Sequence, residues 1–180
     1  LINIWGADHI GYINRMKSIV NVIADKKNYL EINICQIVRI IKDNKLLRMS
    51  KREGNFVTLN NILNQVGKDP LRYFMISTKN ETQMDFDLDK VLEKNKDNPV
   101  FYCQYAYARA SSVINKSKNY KEFSNFLKLT NRFDFNTLSK YERDIILKLI
   151  SWPYLLLQSS ISKQPHKITN YIEDLSSSFH

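Results

Sequence analysis

Residues 48–58 read Arg48-Met49-Ser50-Lys51-Arg52-Glu53-Gly54-Asn55-Phe56-Val57-Thr58. Three cations, one hydroxyl and a glycine fall within a few positions. Cations packed this closely repel one another, so a loop of this composition calls for an anion between them, and a nucleoside triphosphate fits. Lys51 would hold the phosphates as a point charge, and Ser50 would donate a hydrogen bond. Fixed cations would stabilise the charge that builds on the equatorial oxygens and on departing pyrophosphate during attack at the α-phosphorus. The competing reading is a solvated basic turn, which a charge cluster alone leaves open.

Moving outward, apolar runs at 37–41 and 46–49 flank Lys42-Asp43-Asn44-Lys45, which predicts a β-hairpin leading into the cationic stretch. After it, Thr58 predicts the cap of a helix carrying Leu59, Ile62, Leu63 and Val66, stopped by Gly67. Asp69-Pro70 predicts a second helix, with Asp69 as N-cap and proline at the first helical position. Toward the amino end, residues 1–5 predict a buried strand that breaks at Gly6. Residues 9–24 predict a helix with Ile10, Ile13, Val20 and Ile23 on its inner face, and Leu30, Ile32 and Ile34 alternate as in a strand. A glycine turn at the carboxyl end of a strand, here Trp5-Gly6-Ala7-Asp8-His9-Ile10-Gly11-Tyr12, is where doubly wound α/β folds bind ligands. Asp8 is placed to accept hydrogen bonds from hydroxyls or an amino group, or simply to cap the helix. His9 is read at the helix start, where the dipole disfavours its protonation.

Toward the carboxyl end, residues 80–89 read as a polar connector, dividing the chain into an α/β domain at 1–85 and an all-α domain at 86–180. Pro99 opens a helix to about 116, and residues 119–136 read as a short helix and a loop. Ser139 and Glu142 form a capping box before Ile145, Ile146, Leu149 and Ile150. Pro153 and Pro165 are read as punctuating two further helices. Tyr102, Tyr105 and Arg109 fall at i, i+3 and i+7, one helical face. Such a face could stack on bases and press on phosphates, or form the seam of the bundle.

Lys and Arg outnumber Asp and Glu by 27 to 18, a net charge of +9 spread over both halves, which favours a polyanionic partner. The two cysteines, Cys35 and Cys103, stand apart and the three histidines are scattered, which argues against zinc and for reduced, buried thiols. No apolar stretch is read as long enough to span a membrane and no signal peptide is visible, so a cytoplasmic location is expected. Leu1 opens an apolar run without an initiating Met, and residues 174–180 end without a stop signal. Both ends read as cut.

The string at 48–58 resembles the Lys-Met-Ser-Lys-Ser signature of class I aminoacyl-tRNA synthetases. More narrowly, it is similar to the Lys-Met-Ser-Lys-Arg-x-Gly-x-Phe-Val-Thr-Leu form of arginyl-tRNA synthetases, with Arg48 in place of the first Lys. Trp-Gly-Ala-Asp-His-x-Gly-Tyr at 5–12, followed by Arg15-Met16-Lys17, is similar to that family's segment contacting ATP and the aminoacyl adenylate. Met84-Asp85-Phe86-Asp87-Leu88-Asp89 and the Asn-Pro-x-x-Tyr-x-Gln-Tyr-Ala-x-Ala-Arg string at 98–109 look like its domain junction and first bundle helix. The resemblance implies the carboxyl-terminal part of a Rossmann-like catalytic domain followed by an incomplete helical anticodon-binding bundle. It implies catalytic roles for Lys51, Ser50 and Arg48, and ATP or adenylate contacts from Gly6, Asp8, His9 and Met49. It further implies tRNA contacts from Arg52, Tyr102, Gln104 and Arg109. The implied substrates are arginine, its tRNA and ATP with Mg2+, without zinc, in an enzyme monomeric at full length. The family's His-x-Gly-His string does not occur in these 180 residues, so the chain by itself is expected to be inactive. The alternatives are a tRNA-binding module or a remnant without catalysis.

Overall fold

The computed structural model describes residues 1–47, 57–120 and 135–180. They form two compact units, Leu1–Leu92 and Glu93–His180.

The first unit opens with β1 (Ile2–Gly6), which pairs in parallel with β2 (Glu31–Cys35), Ile2 opposite Glu31 and Gly6 opposite Cys35. Between them lie a 3₁₀ turn (Ala7–Tyr12) and helix α1 (Ile13–Ala24). β1 was expected to be buried, but only alternate residues are covered, as the two-residue period of a strand dictates. Ile2 is 55% and Ile4 72% exposed. The α-helix begins at Ile13 rather than His9. The tighter 3₁₀ winding before it puts Ile10 out of phase with Ile13 and Val20, so Ile10 faces solvent, as does Ile23.

A second sheet has the order β4-β3-β5. β3 (Val38–Lys42) turns into β4 (Lys45–Leu46) and lies parallel to β5 (Met84–Asp87). The expected hairpin is present. Its two turn residues, Asp43 and Asn44, both have left-handed backbones (φ 50° and 56°). That geometry matches the right-handed twist of the flanking strands, and Asp and Asn tolerate it best after glycine.

Thr58 caps α2 (Leu59–Val66), its Oγ1 accepting from the Asn61 amide at 3.1 Å, and Gly67 ends the helix with φ 82°. α3 (Lys68–Ser77) starts before the expected Asp69 cap, so Asp69 sits in its first turn, where a carboxylate still suits the helix dipole. The core of the unit gathers Ile40, Ile62, Val66, Leu71, Phe86, Leu88 and Val91. Leu47 and Val57, the described residues on either side of 48–56, both pack against it.

The stretch expected as a polar connector is a strand and its continuation. Phe86 (1% exposed) and Leu88 (3%) enter the core, and Asp85, Asp87 and Asp89 alternate with them. The expected boundary between 85 and 86 therefore falls inside β5, and the first unit runs on to Leu92.

In the second unit α4 (Pro99–Ser117) is capped by Asn98, whose side chain accepts from the Val100 amide at 3.0 Å. α5 (Lys140–Ser162) carries the expected capping box. The Glu142 amide donates to Ser139 Oγ at 3.3 Å, and the Ser139 amide donates to Glu142 Oε2 at 2.7 Å. α6 (His166–Phe179) follows Pro165. Pro153 does not separate two helices but lies inside α5. An interior proline removes an amide donor. In that turn the Lys148 carbonyl accepts from Ser151 Oγ at 2.7 Å and from the Tyr171 hydroxyl at 2.9 Å. Trp152 packs on Tyr171 with ring centroids 5.1 Å apart, and Lys148 Nζ meets Asp174 Oδ2 at 2.6 Å.

Because α5 continues through Pro153, it is long and apolar enough, by length and composition, to cross a membrane. Reading the proline as a break hid this from the sequence. Within the unit the same helix is tied to α6 by the Lys148 and Tyr171 contacts. Neither Cys35 nor Cys103 forms a disulfide, and both are partly buried.

Candidate functional site

At the carboxyl end of β1 the chain passes through Gly6 into the 3₁₀ segment, and five side chains gather there. Asp8 Oδ2 lies 3.4 Å from His9 Nε2, with His9 59% and Asp8 74% exposed. A pair so open to water contributes little to stability and leaves both groups available to a ligand. Neither the 3₁₀ turn nor α1 has a side-chain N-cap hydrogen bond, so Asp8 is not used as a cap. His9 stands in the 3₁₀ turn that runs directly into the α-helix starting at Ile13. The ring of His9 lies between Trp5 (6.3 Å, edge-on) and Tyr12 (6.4 Å), and the Arg15 guanidinium stands 5.5 Å above Tyr12. The cluster offers a carboxylate acceptor, an imidazole, two aromatic faces and a cation.

Arg48, Met49, Ser50, Lys51 and Arg52 lie outside the described residues. Described on either side are the β3–β4 hairpin and the core-anchored residues Leu47 and Val57. β3 is held from β5 at its start. Arg39 Nε and Nη2 donate to Asp85 Oδ1 and Oδ2 at 2.6 and 2.8 Å, a forked pair between directly opposed residues. Hydrogen bonding from Arg39 holds the Asp85 carboxyl below its ordinary range, and the same contact raises Arg39. Sequence reading assigned no role to Arg39. The signal that could have found it is the Asp-x-Asp-x-Asp alternation with Phe86 and Leu88.

On α4, Tyr102, Tyr105 and Arg109 do share one face, and they meet at His180. The His180 ring stacks on Tyr105 (5.4 Å, 15° between planes) and lies 4.5 Å from Tyr102. Arg109 Nη1 is 3.1 Å from His180 Nδ1, with its guanidinium 5.8 Å from the Tyr105 ring. Tyr105 is half exposed rather than a core residue, and Gln104 beside it is exposed. An imidazole held between flat rings and a guanidinium is chemically close to a stacked base. Among the described residues, no group of three or more His, Cys, Asp or Glu side chains could hold a metal ion.

Residues 4–87 match the family model of class I tRNA synthetases (I, L, M and V), and residues 103–180 match that of the DALR anticodon binding domain. Over its whole length the chain is 41% identical to an arginine–tRNA ligase of Orientia tsutsugamushi strain Ikeda and 37% identical to that of Xanthobacter autotrophicus. The chain is thus homologous, over its whole length, to arginine–tRNA ligases. It spans 31% of the length of these relatives. The structure of an arginyl-tRNA synthetase from Campylobacter jejuni superposes with a TM-score of 0.84 at 31% identity, over 99% of this chain and 38% of that one. The Thermus thermophilus arginyl-tRNA synthetase, 18% identical with a TM-score of 0.68, shares the fold over 99% of this chain and 32% of its own. The two units are thus a class I synthetase catalytic part and a DALR helical part, as the family's arrangement requires.

Proposed function

We propose that this chain supplies, to an arginine–tRNA ligase, the adenylate-contacting turn, the phosphate-gripping loop and the first tRNA-facing helices. What supports the reading is the family match in both units, joined to an uncapped Asp8 carboxylate beside His9 at the carboxyl end of β1. In this reading arginine attacks the α-phosphorus of ATP through its carboxylate, pyrophosphate leaves, and the arginyl group then passes to the terminal adenosine of its tRNA. Gly6 leaves room for the Asp8 carboxylate, Asp8 accepts from adenylate hydroxyls or its amino group, and His9 and Met49 border the adenosine. Lys51, Ser50 and Arg48 neutralise the charge growing on the phosphates. Catalysis then comes from positioning and electrostatics, with no covalent enzyme intermediate. Magnesium arrives with ATP, held mainly by phosphate oxygens and water, as its preference for few protein ligands dictates.

Arg52, Tyr102, Gln104 and Arg109 form the tRNA-contacting set. The reading places the full enzyme in the cytoplasm as a monomer, away from membranes. The purified 180-residue chain should bind ATP and tRNA without arginine-dependent pyrophosphate exchange. Exchange activity in the isolated chain would overturn the division of labour, and absence of ATP binding would overturn the adenylate site. A second reading, an RNA-binding module alone, is favoured by the net charge of +9 spread over both halves; tRNA binding without ATP binding would select it.

A further inference from the structure

The acidic string at 85–89 has no part in the reaction as described above, yet each of its carboxylates is engaged. Asp85 takes the Arg39 fork. Asp87 Oδ1 accepts from the amides of Asp89 and Lys90 at 3.1 and 3.2 Å, fixing the turn that follows β5. Asp89 Oδ2 then accepts from the Asp43 amide at 2.7 Å, at the tip of the β3–β4 hairpin, and the Leu88 amide donates to the Ile41 carbonyl at 2.9 Å.

The hairpin needs such support. β4 has two residues, paired to Ile41 and Lys42, and one further bond runs from the Leu47 amide to Ile40. Both turn residues are left-handed. A short edge hairpin of this kind is marginal by itself, and the turn amide would otherwise be left to solvent. The second strand of this hairpin leads directly into the residues assigned above to the phosphates.

We propose that Asp89 is a positioning residue for nucleotide binding, its carboxylate pinning the Asp43 turn and thereby fixing where the chain leaves β4 at Leu47. Asp89 touches no substrate and acts through the hairpin. The proposal rests on the phosphate-binding reading given above. It also accounts for the composition of the Met-Asp-Phe-Asp-Leu-Asp string. Phe86 and Leu88 anchor it in the core while the intervening carboxylates hold β3 and its turn.

The test uses the 180-residue chain and three variants, Asp89→Ala, Asp89→Asn and Arg39→Gln. The last breaks a contact of the same β3–β5 pair away from the turn. Amide exchange is followed over residues 42–47, and ATP binding is measured by calorimetry in the presence of magnesium. Asp89→Ala should speed exchange at Asp43 by about tenfold and weaken ATP binding by a similar factor. Asp89→Asn keeps an acceptor oxygen and should restore both to within about twofold. Arg39→Gln loosens β3 away from the turn and should weaken ATP binding by less than Asp89→Ala does. Unchanged exchange at Asp43 in Asp89→Ala, or faster exchange with unaltered ATP affinity, overturns the positioning role alone. Absence of ATP binding in the unaltered chain overturns the phosphate reading and the positioning role with it.

Discussion

The carboxylate of Asp8 folds back over Gly6, so that a Cβ placed on Gly6 would stand 2.5 Å from Asp8 Oδ1. The backbone of Gly6 is ordinary (φ −67°), so any residue could adopt it. What excludes a side chain is the carboxylate. Gly6→Ala should therefore displace Asp8 without straining the main chain. ATP affinity should fall by about tenfold, the size of one lost charge-assisted hydrogen bond. The thermal midpoint should barely move, because the Asp8 side chain is exposed and its displacement costs no packing. Calorimetric titration beside a melting curve separates the two effects, and unchanged affinity would remove Asp8 from the adenylate site.

The forked Arg39–Asp85 contact carries a pH signature. Asp85 titrates below the ordinary 3.8 because Arg39 donates to its ionised form. Its contribution to stability is complete above that ordinary value and is lost as pH falls through the lowered one. Arg39 is raised above the ordinary guanidinium value because it donates to Asp85, so its side of the contact is fully present below that value and lost only in stronger alkali. Urea unfolding of the natural chain and Asp85→Asn should show a constant gap from neutrality down to about pH 4, closing at more acid pH. A gap that persists at about pH 2 would show that the fork is not its source.

Ser139→Ala should cost the second unit about 1 kcal/mol, the usual worth of an N-cap side chain. The loss should appear as a lower denaturant midpoint with an unchanged slope. Glu142, lowered from 4.5 by hydrogen bonding from Ser139, contributes its share above that value and loses it as pH falls through the lowered one. The Ser139→Ala penalty should therefore shrink in acid. A penalty independent of pH would separate the two halves of the capping box.

Arg109 offers a salt-dependent test of the tRNA-facing surface. If its guanidinium neutralises a phosphate, Arg109→Gln should weaken tRNA binding and reduce the slope of log affinity against log salt by about 1. Filter binding between about 50 and 200 mM salt reads this directly. An unaltered slope would restrict Arg109 to holding His180.

Much of this architecture was legible in the sequence because its signals are local. Asp43-Asn44 between two apolar runs, Thr58 three residues before Asn61, and Ser139 three before Glu142 each announce a turn or a hydrogen bond within a few positions. β5 was missed because three carboxylates in six residues lowered its mean hydropathy, and the alternation with Phe86 and Leu88 shows only when each position is read by its face. Pro153 was misread because the contacts that hold this stretch of α5 against α6, from Trp152 and the Lys148 carbonyl to Tyr171, join residues distant in the chain. Of the candidate site, the turn at Gly6, Asp8 and His9 and the shared face of Tyr102, Tyr105 and Arg109 could be read from the sequence, with their roles resting on the family resemblance, and the structure brings them into two clusters. His180 was passed over because its partners are long-range, and residues 48–52 stand on the family resemblance alone.

β3 and β5 run with a constant offset: Arg39 faces Asp85, Ile40 faces Phe86, and the same step of 46 carries Asp43 to Asp89. Two polar rivets thus sit the same distance apart on each strand. Losing or gaining a single residue between 39 and 43, or between 85 and 89, would let only one rivet stay in register. The interval acts as a molecular gauge. Across descendants of this chain, the spacing between the rivets should hold, and changes of length should be confined to segments outside them.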